Sequence, residues 1–364
     1  MNVTKKKGTH KILKFFIYIV AAILVLAASF FILIFANEYK PAPEENISVN
    51  GTSSNQLKQN ETVRVVTWNI GFGALGKNTD FFMDGGKSVK TSGKNEITEN
   101  LNAIVEELKS LNSQIVFIQE IDLNSSRTFK INQRDFICEK IGNFQNTFAN
   151  NFKCLFVPYP VPPMGKVDSG ILTLSKFPVS SAKRIQLPVP FKFPVRACNL
   201  KRCLLVNRTA ITGTSKELVT VNLHLEAYDD GEGKKQQTLI LKKILEEESQ
   251  KGNYVIAGGD FNQTFDTVDL KDFPQNEKLW KPGKIETEIF ADDFYTLMDS
   301  GNPTCRSLDK PFDSTKDFQF YVIDGFIVSK NIQVKKIETV QLNFENSDHN
   351  PILLEVVLTG EEID

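Results

Sequence analysis

Three hydrophobic regimes follow one another along this 364-residue chain. Phe15 to Ala36 is almost wholly apolar and carries no charge, and a run of that length crosses a bilayer as one helix. Glu38 to about Glu61 is rich in Pro, Asn, Ser and Glu, the composition of a flexible stalk with a typical end-to-end distance of roughly 27 Å. From Val63 onward, short β-rich apolar runs recur at Val63 to Trp68, Gln114 to Ile118, Cys154 to Val157, Gly170 to Leu174, Cys203 to Ile211, Leu218 to Leu225, Tyr254 to Ala257, Phe320 to Val328 and Pro351 to Leu358. Their length and residue types predict buried or alternating strands. Between them, Ile97, Leu101, Ile104, Val105, Leu108 and Leu111 keep helical spacing, as do Leu241, Ile244 and Leu245. Strands interleaved with a few helices predict a layered α/β fold. The expected organisation is a basic tail (1–14), a transmembrane helix (15–36), a stalk (37–61) and one catalytic domain (62–360).

Charge orients the apolar run. Lys5, Lys6, Lys7, Lys11 and Lys14 precede it, whereas Glu38, Lys40, Glu44 and Glu45 follow. The lysine flank predicts a cytoplasmic N-terminus with everything after the helix outside the cell. The run is longer than the apolar part of a signal peptide, and Leu33-Ile34-Phe35-Ala36 ends without a small-x-small site, so an uncleaved anchor is expected. Setting those five lysines aside from the 43 basic residues leaves 38 against 44 acidic ones, a formal balance of −6. That balance counts against a dedicated binder of polyanions, although an enzyme that turns over needs no tight binding. The five cysteines are an odd number and too scattered for a disulfide scaffold. Cys198 and Cys203 are near enough in sequence to bridge a loop, and no Cys/His spacing suits zinc.

Chemistry gathers where strands are predicted to end. Asn69, Glu120 and Asp260 each stand just past an apolar run, where sheets present functional groups. Of three histidines, His10 lies in the basic tail, while His224 and His349 sit in Asn222-Leu223-His224 and Ser347-Asp348-His349-Asn350-Pro351. Acids, amides and imidazoles drawn from separate strand ends are what hydrolysis of a phosphate ester with a hard metal ion requires.

In order, Trp68-Asn69, Gln119-Glu120, Asn222-Leu223-His224, Gly259-Asp260-Phe261-Asn262, Ile323-Asp324-Gly325-Phe326 and Ser347-Asp348-His349-Asn350-Pro351 resemble the endonuclease/exonuclease/phosphatase superfamily, whose fold is deoxyribonuclease-I-like. Asn69-Ile70-Gly71-Phe72 and Phe81-Phe82-Met83-Asp84-Gly85-Gly86 are similar to segments of its membrane-anchored bacterial members. The resemblance implies a four-layer α/β sandwich, two central mixed sheets flanked by helices. It implies that Glu120 binds a divalent metal with Asn69 beside it and that Asp348 also holds metal, Mg²⁺ or Mn²⁺ suiting such oxygen ligands. Asp260 and Asn262 would orient the attacking water and the phosphate. His349, paired with Asp324, would be the general base, and His224 would stabilise the transition-state oxygens or protonate the leaving group. Family members differ over whether the aspartate or the histidine removes the proton. Arg127, close behind Glu120, is a candidate phosphate clamp or a structural ion pair. Two proline-stiffened segments with aromatics, 157–163 and 188–194, either pack over the core or touch lipid. The expected protein is a monomeric, extracytoplasmic phosphoester hydrolase of phospholipid headgroups or small phosphoesters; an extracellular nuclease and a catalytically silent binding module are the other readings.

Overall fold

The strand runs of the sequence pair into two large sheets in the computed structural model, which describes residues 4–271, 273, 276–315 and 318–359. Across the six-stranded sheet the order is Ile332–Thr339, Ile352–Leu358, Thr62–Asn69, Ile115–Asp122, Gly165–Ser175, Gln145–Val157. The eight-stranded sheet runs Glu44–Asn46, Val179–Gln186, Cys203–Thr212, Glu217–His224, Tyr254–Asp260, Asp324–Ser329, Phe294–Leu297, with Leu57–Lys58 added beside Cys203–Thr212. Each sheet is mixed. Thr62–Asn69 runs parallel to Ile115–Asp122, and Glu217–His224 parallel to Tyr254–Asp260, whereas their other neighbours are antiparallel.

Alternation along the strands builds the layers. Val63, Val65, Ile115, Phe117, Ile352 and Leu354 meet Leu218, Tyr254, Ile256, Phe326 and Val328 between the sheets. The intervening Val66, Trp68, Val116 and Ile118 turn the other way, onto Ile97, Leu101, Ile104 and Leu108 of a helix, α2, at Lys94–Ser110. On the far side, Val219, Val221, Val255 and Ala257 pack with Leu241 and Leu245 of Glu232–Ser249. Strands buried on both faces read as near-continuous apolar runs. Each fully buried Val, Leu or Ile contributes about 1.5–3 kcal/mol, so the core needs no disulfide, and all five cysteines are free. The expected four-layer sandwich is present, and the Cys198 to Cys203 bridge is not formed.

The segment from Glu38 to Glu61 is not the free stalk that its composition suggests. Glu44–Asn46 adds an edge strand against Lys183, Arg184 and Ile185, Leu57 is buried, and the Glu38 carboxylate holds Arg196 at 3.0 Å and Lys201 at 3.2 Å. Backbone hydrogen bonds to an open sheet edge order a polar segment that has no apolar face of its own. The N-terminal helix, α1 at Thr4–Ala36, is thereby joined closely to the body. Its stretch Lys11–Ala36, 26 residues, is long and apolar enough to cross a membrane. At its C-terminal end Ile34 is buried, the Phe30 ring lies 5.5 Å from that of Phe156, and Phe35 lies 4.7 Å from Phe193.

Candidate active site

Neighbouring strands of the eight-stranded sheet bring His224, Asp260 and Asp324 into line, because Asp260 pairs in register with His224 on one side and with Asp324 on the other. The close approach depends on Gly259: its φ is +151°, and a Cβ there would meet the Leu223 carbonyl oxygen at 1.9 Å. From the other sheet, Asn69 ends its strand, and Glu120 lies in an irregularity between Ile118 and Ile121 with φ at +58°. A bulge of this kind re-aims a side chain out of strict alternation. Beneath the site the sheets are joined by amides: Gln119 Nε2 donates to Asn222 Oδ1 at 2.8 Å, and Asn222 Nδ2 donates to the Leu172 carbonyl at 2.9 Å. Buried amides satisfied in this way fix one register between the layers.

The segment carrying His349 is pinned to both sheets. Trp68 Nε1 donates to the His349 carbonyl at 2.9 Å, and Ser347 Oγ donates to the Asn69 carbonyl at 2.9 Å. Asp324 Oδ2 accepts from Thr304 Oγ1 at 2.7 Å and lies 2.8 Å from His349 Nδ1. The ring's other nitrogen, Nε2, then faces Asp260 Oδ2 at 3.9 Å and Asp348 Oδ2 at 4.0 Å. His224 Nε2 approaches the same Asp260 oxygen at 3.4 Å. The backbone N–H of Asn262, in the left-handed region at φ +50°, donates to Asp260 Oδ1 at 2.8 Å, and its side-chain amide donates to the Leu225 carbonyl at 2.9 Å.

Electrostatics separate these groups. Burial, with Asp324 alongside, pushes Asp260 up to about 7. Burial also pushes Asp348 up to about 6, Glu120 adding to the effect. Burial opposes charging His349, but Asp324, Cys305 and Asp348 outweigh it and lift the imidazole well above its ordinary range. His224 moves the other way, held well below that range by burial and by the charges of Arg202 and His349. The donor chemistry fits a hard divalent cation: buried carboxylates face one another with few basic partners, a repulsion that a cation relieves. Of these acids Asp324 alone makes a short hydrogen bond to a histidine ring; Asp260 lies between two rings, 3.4 Å from His224 and 3.9 Å from His349, whereas Asp348 approaches one ring, at 4.0 Å, and Glu120 is held by Asn69.

A cavity of about 550 Å³ gathers Glu120, His224, Asp260, Asn262, Asp348 and His349, with Asp324 behind His349. Two of the candidate residues are held by partners within the protein. Asn69 Nδ2 donates to Glu120 Oε1 at 3.2 Å and to Asp260 Oδ2 at 3.0 Å, while its Oδ1 accepts from the Gly71 N–H at 3.1 Å. In that pattern the amide holds the two acids together. Arg127 borders the cavity, but its Nε and Nη2 are committed to Asp122 at 3.0 and 2.9 Å and its guanidinium stacks on Phe72 at 3.7 Å. It is a buried structural ion pair, not a free phosphate clamp. Asp84, Tyr228 and Arg202 also line the cavity, and sequence reasoning assigned none of them. Tyr228 Oη donates to Asp84 Oδ1 at 2.8 Å. Burial, with Asp348 and Glu120 facing it, pushes Asp84 up to about 7 against that hydrogen bond. The signal for Asp84 was the Phe82-Met83-Asp84-Gly85-Gly86 run; Arg202, beside a strand start, had none.

Comparisons with known proteins agree with this fold. An endonuclease/exonuclease/phosphatase from Beutenbergia cavernae shares the fold at a TM-score of 0.54 and 18% identity, covering 82% of this chain and 72% of that one. A protein of the same description from Bacteroides thetaiotaomicron superposes at 0.54 with 15% identity over 84% of this chain and 98% of the other. The human Nocturnin catalytic domain, solved with a bound sulfate anion, superposes at 0.51 with 16% identity over 86% and 97%. No curated protein matches the sequence. The sequence profile of the Endonuclease/Exonuclease/phosphatase family matches residues 66–349, from the strand of Asn69 to His349 itself, and the chain belongs to that family of metal-dependent phosphoester hydrolases.

Proposed function

We propose that this chain is a membrane-anchored, Mg²⁺- or Mn²⁺-dependent phosphoester hydrolase, a monomer whose catalytic body lies on the extracytoplasmic face. The observation that carries the reading is the convergence of Glu120, His224, Asp260, Asp348 and His349, from separate segments of both sheets, on one cavity. Glu120 and Asp348 would hold the ion, which when bound supplies Lewis-acid polarisation of the phosphoryl group. Asn69 keeps Glu120 and Asp260 in place. Asp260 Oδ2 and His349 Nε2 stand 3.9 Å apart and flank the attacking water, whose proton passes to the pair. Asp324 fixes the tautomer by accepting from Nδ1. His224, kept neutral, faces the phosphoryl oxygens from the other side of Asp260. The acidic balance of the body favours a small or lipid phosphoester over nucleic acid. Five lysines ahead of an uncharged span support the anchored orientation.

The test assays the full-length chain in detergent with Mg²⁺ on DNA, RNA, sphingomyelin, phosphatidylcholine and phosphoinositides side by side. Cleavage of a lipid and not of nucleic acid is expected. Cleavage of DNA or RNA alone moves the reading to a nuclease, and turnover of nothing contradicts it.

A further inference from the structure

The cavity is not walled by the globular body alone. Phe31, Ile34 and Phe35, from the last two turns of α1, line the same space as Glu120, Asp260 and His349. Phe15 to Ala36 rises roughly 33 Å at about 1.5 Å per residue, against about 30 Å of bilayer hydrocarbon. A spanning α1 therefore sets its last turn at the outer boundary of the lipid, with the mouth of the cavity at that depth. The ion pairs of Glu38 with Arg196 and Lys201, immediately after the helix, hold the body there.

The body's surface at this level is apolar. Tyr159 is 67% exposed, Val161 93%, Phe193 59% and Val195 57%. Tyr159, Val161 and Phe193 sit on two proline-rich segments, with Val195 opening the short helical turn that follows the second and Lys192 exposed next to Phe193. Scattered apolar side chains on a surface mean little, but Tyr159 and Val195 line the cavity, and Val161 and Phe193 stand two residues from them along the chain. The Phe193 ring lies 4.7 Å from Phe35, and the Tyr159 ring lies 5.8 Å from Phe82, itself part of the cavity wall. Aromatic and aliphatic tips with a lysine among them are the composition of a surface seated in the lipid interface.

We propose that the end of α1 and these loops form an entrance through which the cavity takes its substrate from the bilayer that holds the anchor, so that the substrate is a membrane phospholipid. The inference rests on the hydrolase reading above and narrows it. The acyl portion lies against Phe31 and Phe35, and the headgroup phosphate reaches Asp260 and His349. Water adds to phosphorus, one P–O ester bond breaks, and the water's proton ends on the departing alcohol. A soluble nucleotide or nucleic acid has no use for a wall supplied by a membrane helix.

The experiment reconstitutes the full-length chain with Mg²⁺ into vesicles of phosphatidylcholine, phosphatidylglycerol, phosphatidylinositol and sphingomyelin. Lipid cleavage is measured alongside hydrolysis of water-soluble bis(p-nitrophenyl) phosphate by the same preparation. Vesicle lipid should be cleaved, and the ratio of lipid rate to soluble rate should fall at least about tenfold in Val161→Asp and in Phe193→Ser. Both positions are more than half exposed, and circular dichroism checks their folding. Cleavage of the soluble diester with vesicle lipid intact, or an unaltered ratio in both variants, overturns the entrance and leaves the hydrolase standing. Cleavage of neither compound removes both readings.

Discussion

His349 shows how a residue's role depends on partners far away in sequence. Its ring is oriented by Asp324 at 2.8 Å and its backbone is held by Trp68. The His349→Ala variant should therefore lose about 10²–10⁴ in kcat; a loss below tenfold in a folded protein would contradict its part in proton transfer. Arg127 makes the opposite case. With Asp122 fully buried beneath it, Arg127→Ala leaves an unpaired buried carboxylate, and urea unfolding should register a loss of about 3–5 kcal/mol. A change under about 1 kcal/mol would mean that the pair is not sequestered. Glu120, His224, Asp260 and His349 were legible as neighbours in one cavity because each sits in one of six motifs that keep a family's order along the chain, although each motif alone reads as ordinary. The orientation of Asn69 and the pairing of Asp84 with Tyr228 were not, since both arise only when remote loops meet.

Among the elements, strands buried on both faces were readable as apolar runs, and α2 kept its helical spacing. Gln133–Ile141 escaped notice because it is short and has little apolar periodicity, and Glu44–Asn46 because a polar edge strand takes its order from the neighbour that it pairs with. The helix Glu232–Ser249 is tied at its C-terminal end by Glu248, which accepts from Arg208 at 2.5 Å, Lys251 at 2.8 Å and Asn253 at 2.8 Å. Burial alone would raise this carboxyl, but those three hydrogen bonds hold it below its ordinary value. A depressed carboxyl stabilises the fold above its unfolded pKa, and the contribution disappears as pH falls through the folded one. Urea midpoints between pH 7 and pH 3 should thus decline less steeply in Glu248→Gln than in the unaltered chain; identical slopes would show that the cluster does not couple to folding.

At the scale of the molecule, the four-layer sandwich was legible through the resemblance that the ordered motifs carry, since the apolar pattern alone gave only a layered α/β fold. The seating of α1 on the active-site cavity was not. It joins Phe35 to Phe193, and an uncharged span reads the same whether it stands apart from a body or closes part of its wall. The claim on which everything else depends is that these acids and histidines form a divalent-metal phosphoesterase. It is tested most directly by the rate at which the full-length chain hydrolyses bis(p-nitrophenyl) phosphate before chelation with EDTA, after it, and after Mg²⁺ is restored. The expected result is activity that chelation abolishes and Mg²⁺ recovers, with the far-ultraviolet circular dichroism unchanged throughout. Hydrolysis that persists undiminished in EDTA, or a folded chain inactive at every Mg²⁺ or Mn²⁺ concentration, would contradict it.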